Sequence, residues 1–257
     1  MLLLDLENCQ LGYSPTHWQH GRLPAEFRDK VRVIFDGIDT DFWRPQSSQP
    51  RQIGDRNFPE HTRIVTYVAR GIESMRGFDI FMKMANRLCK IRNDVVFLIA
   101  GQDRICYGGD EKHIGGKSFK EWVLRQEPYD LSRFVFLDLV PPNVLRQLFS
   151  ISDLHIYLTV PFVLSWSLFN ALACGTTVLA SNTEPVCEII NHGENGLLGD
   201  FFDVDGLAEA ANRVLDAPQE YKHLGQAGMS LIREKYSTEV CLPQMVQLYQ
   251  EALAMKS

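Results

Sequence analysis

The chain predicts an α/β fold built on a doubly wound, mostly parallel sheet with helices on both faces. Three observations carry that expectation. From Thr62 onward, short apolar and β-branched runs alternate with amphipathic helical periods, the pattern of parallel strands joined by crossover helices. The run Thr177-Val178-Leu179-Ala180 is β-branched and apolar, which suits a strand covered on both faces. Between Val160 and Gly175 a loop runs into a helix, and the free N–H groups of such a helix face the crevice where α/β sheets bind ligands.

Composition narrows the class. The 257 residues are 45% apolar and 23% charged, enough to bury a sizeable core. A formal charge of −6 gives no electrostatic case for general nucleic-acid binding. No apolar run approaches the roughly 18 residues that cross a bilayer, and Met1 to Leu4 lacks the basic flank of a signal peptide. The six cysteines are scattered without CxxC spacing, which points to free thiols in a reducing, cytoplasmic setting. The histidines form no metal motif, so neither a metal nor a tightly held cofactor is expected.

Taken in order, residues 1–44 offer an apolar run, a turn at Gly12 to Pro15, a short helix at His17 to Gly21 and a strand at Val31 to Phe35. Gln46 to His61 is polar, carries Pro50 and Pro59, and reads as a surface linker. Arg63 to Ala69 is a strand, Arg70 to Gly77 a loop, and Phe78 to Ile91 a helix. That helix repeats Phe78, Phe81, Met82, Ala85, Leu88 and Cys89 on one face. Val95 to Ala100 is the next strand. Gln102 to Gly116 is long and Gly-rich, either a functional rim or a surface excursion. Lys117 to Gln126 is helical, Arg133 to Asp138 a strand, Val144 to Ser150 a helix and Leu154 to Leu158 a strand. Pro161 breaks regular structure, Ser165 or Ser167 caps the following helix, and Gly175 ends it. Helices follow at Asp203 to Asp216, Gln219 to Tyr236 and Thr238 to Ala254, with Pro218 opening the second and Ser237 capping the third.

The segments Leu168 to Gly175, Val178 to Ser181 with Pro185 and Glu188, and His192 to Leu198 resemble the donor-binding core of family-4 (group 1) glycosyltransferases. These are retaining enzymes of two-domain GT-B architecture. Asp36 to Pro45 resembles the family's domain-junction signature, with Asp36 where Asn is usual. The resemblance covers roughly residues 30 to 254. It implies a Rossmann-like C-terminal half at 62–236, a linker at 45–61 and a C-terminal crossing helix at 237–257. Residues 1–44 become the tail of an acceptor-binding domain and the interdomain junction.

The resemblance also assigns roles. Arg70 and Arg76 fall where the family places two cations on the donor's diphosphate, Arg76 replacing Lys. Negative charge grows on the leaving phosphate during sugar transfer, so fixed cations stabilise the transition state more than the ground state. The loop and helix start Val163, Leu164, Ser165 and Trp166 would offer backbone N–H groups to a phosphate or to sugar hydroxyls. Asp138, Leu139 and Val140 fall where backbone groups hold the nucleobase. The family's two Glu positions are Phe162 and Asn170 here. Asn170 keeps one acceptor oxygen for a ribose hydroxyl, or is an idle surface residue. Glu188 reads as structural, Gly193 and Gly196 suit positive φ, and His155, Asp153 and His113 belong to packing or surface.

The implied function is the donor-binding half of a glycosyltransferase that uses a nucleotide-diphosphate sugar as co-substrate, completed by an acceptor-binding domain or chain. A nucleotide-sugar-binding module without turnover, or a remnant with an interaction role, is the alternative. On the last helix, Val240, Leu242, Met245, Val246, Leu248, Tyr249 and Leu253 are expected to lack cover and to favour self-association.

Overall fold

The computed structural model describes residues 2–46, 50–116 and 118–255. Its strands are β1 (Gly12–Ser14), β2 (Val31–Val33), β3 (Gln52–Ile53), β4 (Arg56–Asn57), β5 (Arg63–Gly71), β6 (Val95–Gln102), β7 (Phe134–Phe136), β8 (Leu154–Tyr157), β9 (Val178–Ser181) and β10 (Leu197–Gly199). Its α-helices are α1 (Leu2–Asn8), α2 (His17–Gly21), α3 (Ala25–Arg28), α4 (Phe78–Ile91), α5 (Glu111–Ile114), α6 (Phe119–Leu124), α7 (Pro142–Ile151), α8 (Trp166–Ala173), α9 (Glu184–Cys187), α10 (Val204–Asp216), α11 (Pro218–Leu231) and α12 (Thr238–Ala254).

Six strands form one sheet in the order β10-β9-β8-β5-β6-β7, parallel throughout. The chain enters at β5, runs outward through β6 to β7, then returns to the other side of β5 as β8. The strand order therefore reverses between β5 and β8, and the crevice beyond their carboxyl ends is where such sheets take ligands. Successive side chains of β5 point to opposite, covered faces of the sheet. Val65 and Tyr67 pack with Phe78 and Phe81 of α4 and with α10, while Ile64 faces Leu148 and Ile151 of α7. A strand covered on both faces needs an apolar side chain at nearly every position, as this one has.

Several elements depart from the sequence expectations. Strand β5 continues through Arg70 to Gly71, with a register irregularity after Val68, so the first residues of the expected loop belong to the sheet. A Cβ at Gly71 would lie 2.4 Å from the Arg104 carbonyl oxygen, so only glycine permits this close approach. A 3₁₀ turn at Ser74–Arg76 follows. The polar stretch read as a linker carries the β3–β4 hairpin, turned at Gly54 with φ +57°, and Ile53 is buried. Arg51 beside it donates to the Thr62 carbonyl and to Asp153. Residues 47–49 of that stretch, and Lys117 of the expected 117–126 helix, lie outside the described residues.

Strand β2 stops at Val33 and pairs in parallel with β1, a pairing that residue pattern alone does not disclose. The long C-terminal helix splits into α11 and a π-helical turn at Ile232–Tyr236. Ser237 occupies the cap position of α12 but its side chain makes no capping bond. Gly196 has no positive φ, unlike Gly193. Its small size is set instead by Ile190, which a Cβ would meet at 3.0 Å. On α12, Leu242, Val246, Tyr249 and Leu253 are exposed as expected, but Leu248 is buried. Backbone bonds from Ile38 to Tyr236 and from Thr238 to Ile38 tie this end of the chain to the N-terminal segment.

Candidate active site at the sheet switch point

The bulged end of β5 delivers Arg70 to the surface beyond the sheet, and the 3₁₀ turn that follows sends Arg76 back beneath it. Arg76 is buried at 5% exposure. Its Nη1 donates to Thr159 Oγ1 at 3.1 Å and reaches the Tyr157 hydroxyl at 3.4 Å. Tyr107 and Phe162 cover the guanidinium, their ring centroids 5.4 and 5.3 Å from Cζ. None of the ion pairs among the described residues engages Arg70 or Arg76. A buried cation balanced by hydroxyls and aromatic faces, with no carboxylate beside it, keeps its charge for an arriving anion.

On the far side of the crevice, Ser165 caps α8, its Oγ accepting the Ser167 N–H at 3.3 Å. Gly175, with φ +70°, closes the same helix. The Ser165 N–H donates to the Tyr157 hydroxyl at 2.8 Å. Burial pushes the Tyr157 pKa up, so a neutral hydroxyl links the start of α8 to Arg76. Trp166 stands 58% exposed at the first turn, its indole N–H donating to Asp36 Oδ2 at 3.0 Å. The third wall is the turn after β7. Asp138 adopts φ +54°, and its carbonyl accepts the Gly101 N–H at 2.9 Å, which turns Leu139 and Val140 toward the crevice mouth.

Two adjoining cavities open between these walls. The larger, 680 Å³, is lined by Arg70, Asp138, Leu139, Val140, Ser165, Trp166 and Asn170. The smaller, 390 Å³, is lined by Arg70, Arg76, Tyr107, Val163, Leu164, Ser165 and Trp166, with Thr16, Gln19 and Asp36 from the N-terminal segment. Arg70, Ser165 and Trp166 are common to both. Phe162 lines neither cavity. It packs against Arg76 and Tyr107 at the edge of the smaller cavity's lining. Asn170 is not an idle surface residue: it is 6% exposed, sits in the wall of the larger cavity, and its Oδ1 has no partner among the described residues.

The residues that brace the turn carrying Arg76 were not apparent from the sequence. Glu73, fully buried, accepts the N–H groups of Cys106, Tyr107 and Gly108. Asp110 accepts the Ser74 N–H at 2.9 Å and pairs with its hydroxyl. The long 102–116 loop is therefore tied to the 3₁₀ turn and forms a rim of the site. The one local signal was a carboxylate lying between two arginines at 70 and 76. Glu188 is structural as expected, accepting the N–H groups of His17 and Trp18 at the start of α2, at 2.7 and 2.9 Å. Neighbouring Glu184 accepts the Trp18 indole N–H and pairs with Arg22; together these hold its carboxyl below the usual range.

Comparisons with known proteins bear on the family and the fold. The family model of glycosyl transferases group 1 matches residues 48–230, and that of the glycosyl transferase family 4 group matches residues 1–43. The alpha-maltose-1-phosphate synthase of Mycolicibacterium smegmatis is 25% identical over 239 residues, covering 90% of this chain and 59% of that protein. Anabaena HepE, solved in complex with UDP and glucose, superposes with a TM-score of 0.79 at 17% identity, over 97% of this chain and 65% of that one. The isolated C-terminal domain of a group 1 glycosyl transferase from Francisella tularensis superposes with a TM-score of 0.64 at 19% identity, over 78% of this chain and 99% of that domain. The chain spans less than two thirds of the length of the first two. Its sheet is the C-terminal half of a GT-B architecture, and the chain belongs to the group 1 glycosyl transferases.

Proposed function

We propose that the crevice binds a nucleoside-diphosphate sugar and supports transfer of the sugar, with retention, to an acceptor held by a second domain or chain. The observation that carries this reading is the convergence of Arg70, Arg76 and the start of α8 on adjoining cavities at the strand-order reversal. The nucleobase fits the larger cavity beside the backbone of Asp138 to Val140, with Asn170 facing the ribose. The diphosphate lies between Arg70, Arg76 and the N–H groups of α8, and the sugar points into the smaller cavity. As the glycosidic bond breaks, charge gathers on the leaving phosphate, and these fixed cations and N–H groups meet it without reorganising.

The test is release of nucleoside diphosphate from UDP-, GDP- and ADP-glucose by the purified chain, alone and with the Arg76→Met variant. Release from one donor that the variant abolishes supports the reading; equal release by both proteins removes the arginine from the mechanism. A second reading, binding without turnover, is favoured by Asn170. A neutral amide there gives up a charge-assisted hydrogen bond worth about 1.5–3 kcal/mol. Nucleotide that binds but is never released from a sugar donor supports that reading instead.

A further inference from the structure

Glu73 is fully buried, immediately before the 3₁₀ turn, and lines neither of the two cavities. Its Oε2 accepts three successive backbone N–H groups, from Cys106 at 3.0 Å and from Tyr107 and Gly108 at 2.8 Å each. Such a run of amides is the nest that proteins otherwise turn toward bound anions. Here a carboxylate of the same chain fills it. The reciprocal tether runs the other way, from the Ser74 N–H to Asp110 Oδ2. Turn 73–76 and loop 106–110 thus brace each other, and Tyr107 is the residue they place over the Arg76 guanidinium. Burying a carboxylate is costly, and apolar packing would stabilise the fold at least as well. What the carboxylate provides is one defined loop geometry.

We propose that Glu73 is a positioning residue for diphosphate recognition. Through the backbone of Cys106 to Gly108 it holds Tyr107 against Arg76, so that the guanidinium is fixed at the smaller cavity before the ligand arrives. This rests on the donor reading above. A group held in its bound geometry loses less freedom on binding, so releasing the brace weakens affinity without removing any ligand contact.

Calorimetric titration of the full chain with UDP, GDP and ADP identifies the nucleotide that the wild type binds. With that nucleotide, Glu73→Gln weakens binding about tenfold. In an Arg76→Met background the same substitution costs much less, because Glu73 acts chiefly through Arg76; a merely destabilising change would weaken binding equally in both backgrounds. Hydrogen exchange at the amides of Cys106, Tyr107 and Gly108 rises in Glu73→Gln without any ligand present. Should Glu73→Gln fail to fold, Glu73→Asp carries the same cycle, since it keeps the charge but shortens the reach to the three amides. Folded Glu73→Gln protein that binds as the wild type does, or equal losses in both backgrounds, overturns the proposal. A wild type that binds none of the three nucleotides overturns the donor reading and this inference with it; the exchange measurement then still shows whether the brace exists.

Discussion

Phe162 lies over the guanidinium of Arg76, its ring centroid 5.3 Å from Cζ, and Tyr107 covers it at 5.4 Å. The two rings leave the cation one way to turn, toward Thr159 and the smaller cavity. Replacing Phe162 with Ala removes one face, a cation–π contribution of about 0.5–2 kcal/mol. Nucleotide affinity then falls several-fold although Phe162 lines neither cavity, as calorimetry would show. Unchanged affinity would mean that Thr159 and Tyr157 alone fix the guanidinium.

Asn170→Glu is expected to separate stability from binding. A carboxylate in this 6% exposed position is poorly solvated, so the melting temperature of the free protein falls. Nucleotide binding should rise about tenfold, because a carboxylate accepts ribose hydroxyls more strongly than an amide does. Melting curves and titrations on the same preparations check both halves. Lower stability without a gain in affinity would place the ribose elsewhere.

Glu188→Ala strips the start of α2 of two acceptor bonds, from the N–H groups of His17 and Trp18, and leaves only the Thr16 cap on the Gln19 N–H. The loss resembles that of a helix cap, about 1–2 kcal/mol in urea denaturation. Faster amide exchange should appear at these two residues, with the exchange of β5 and β6 unchanged.

His155 sets an acid limb. Burial lowers its pKa from 6.5 to about 3, and Nδ1 is bonded to Thr66 Oγ1 at 3.0 Å. Between those values the unfolded chain binds a proton that the folded chain does not, so stability is complete above pH 6.5 and declines as pH falls toward 3. The full effect is on the order of 5 kcal/mol. His155→Leu leaves Thr66 its bond to Ser152 and flattens this limb. Denaturation at stepped pH values would show it, and an unchanged slope would assign the limb to carboxylates.

The sheet and its helices were legible because alternation and helical periodicity are local signals. Arg70 and Arg76 stand out because they lie around the end of one strand and the start of the next helix, although Arg70 itself belongs to β5. What could not be read depends on distant parts of the chain. The bonds from Glu73 to the 106–108 amides span 33 to 35 residues, and those from Glu188 to α2 span 170 and 171. Asn170 looked equally suited to solvent, since only the packing of α8 shows which of its faces are covered. The β3–β4 hairpin did carry a local signal, Gly54-Asp55, but two prolines and a polar composition masked it. The contact between Phe162 and Arg76, 86 residues apart, is equally invisible to local pattern.

The most direct measurement is a calorimetric titration of the chain with UDP, GDP and ADP beside Arg70→Ala. Arg70 is exposed and engaged in no ion pair among the described residues, so its loss should leave the melting temperature nearly unchanged. The account predicts that one nucleotide binds the wild type, and that the variant binds it about ten- to a hundredfold more weakly. Equal binding by both proteins, or none by either at millimolar nucleotide, would contradict it.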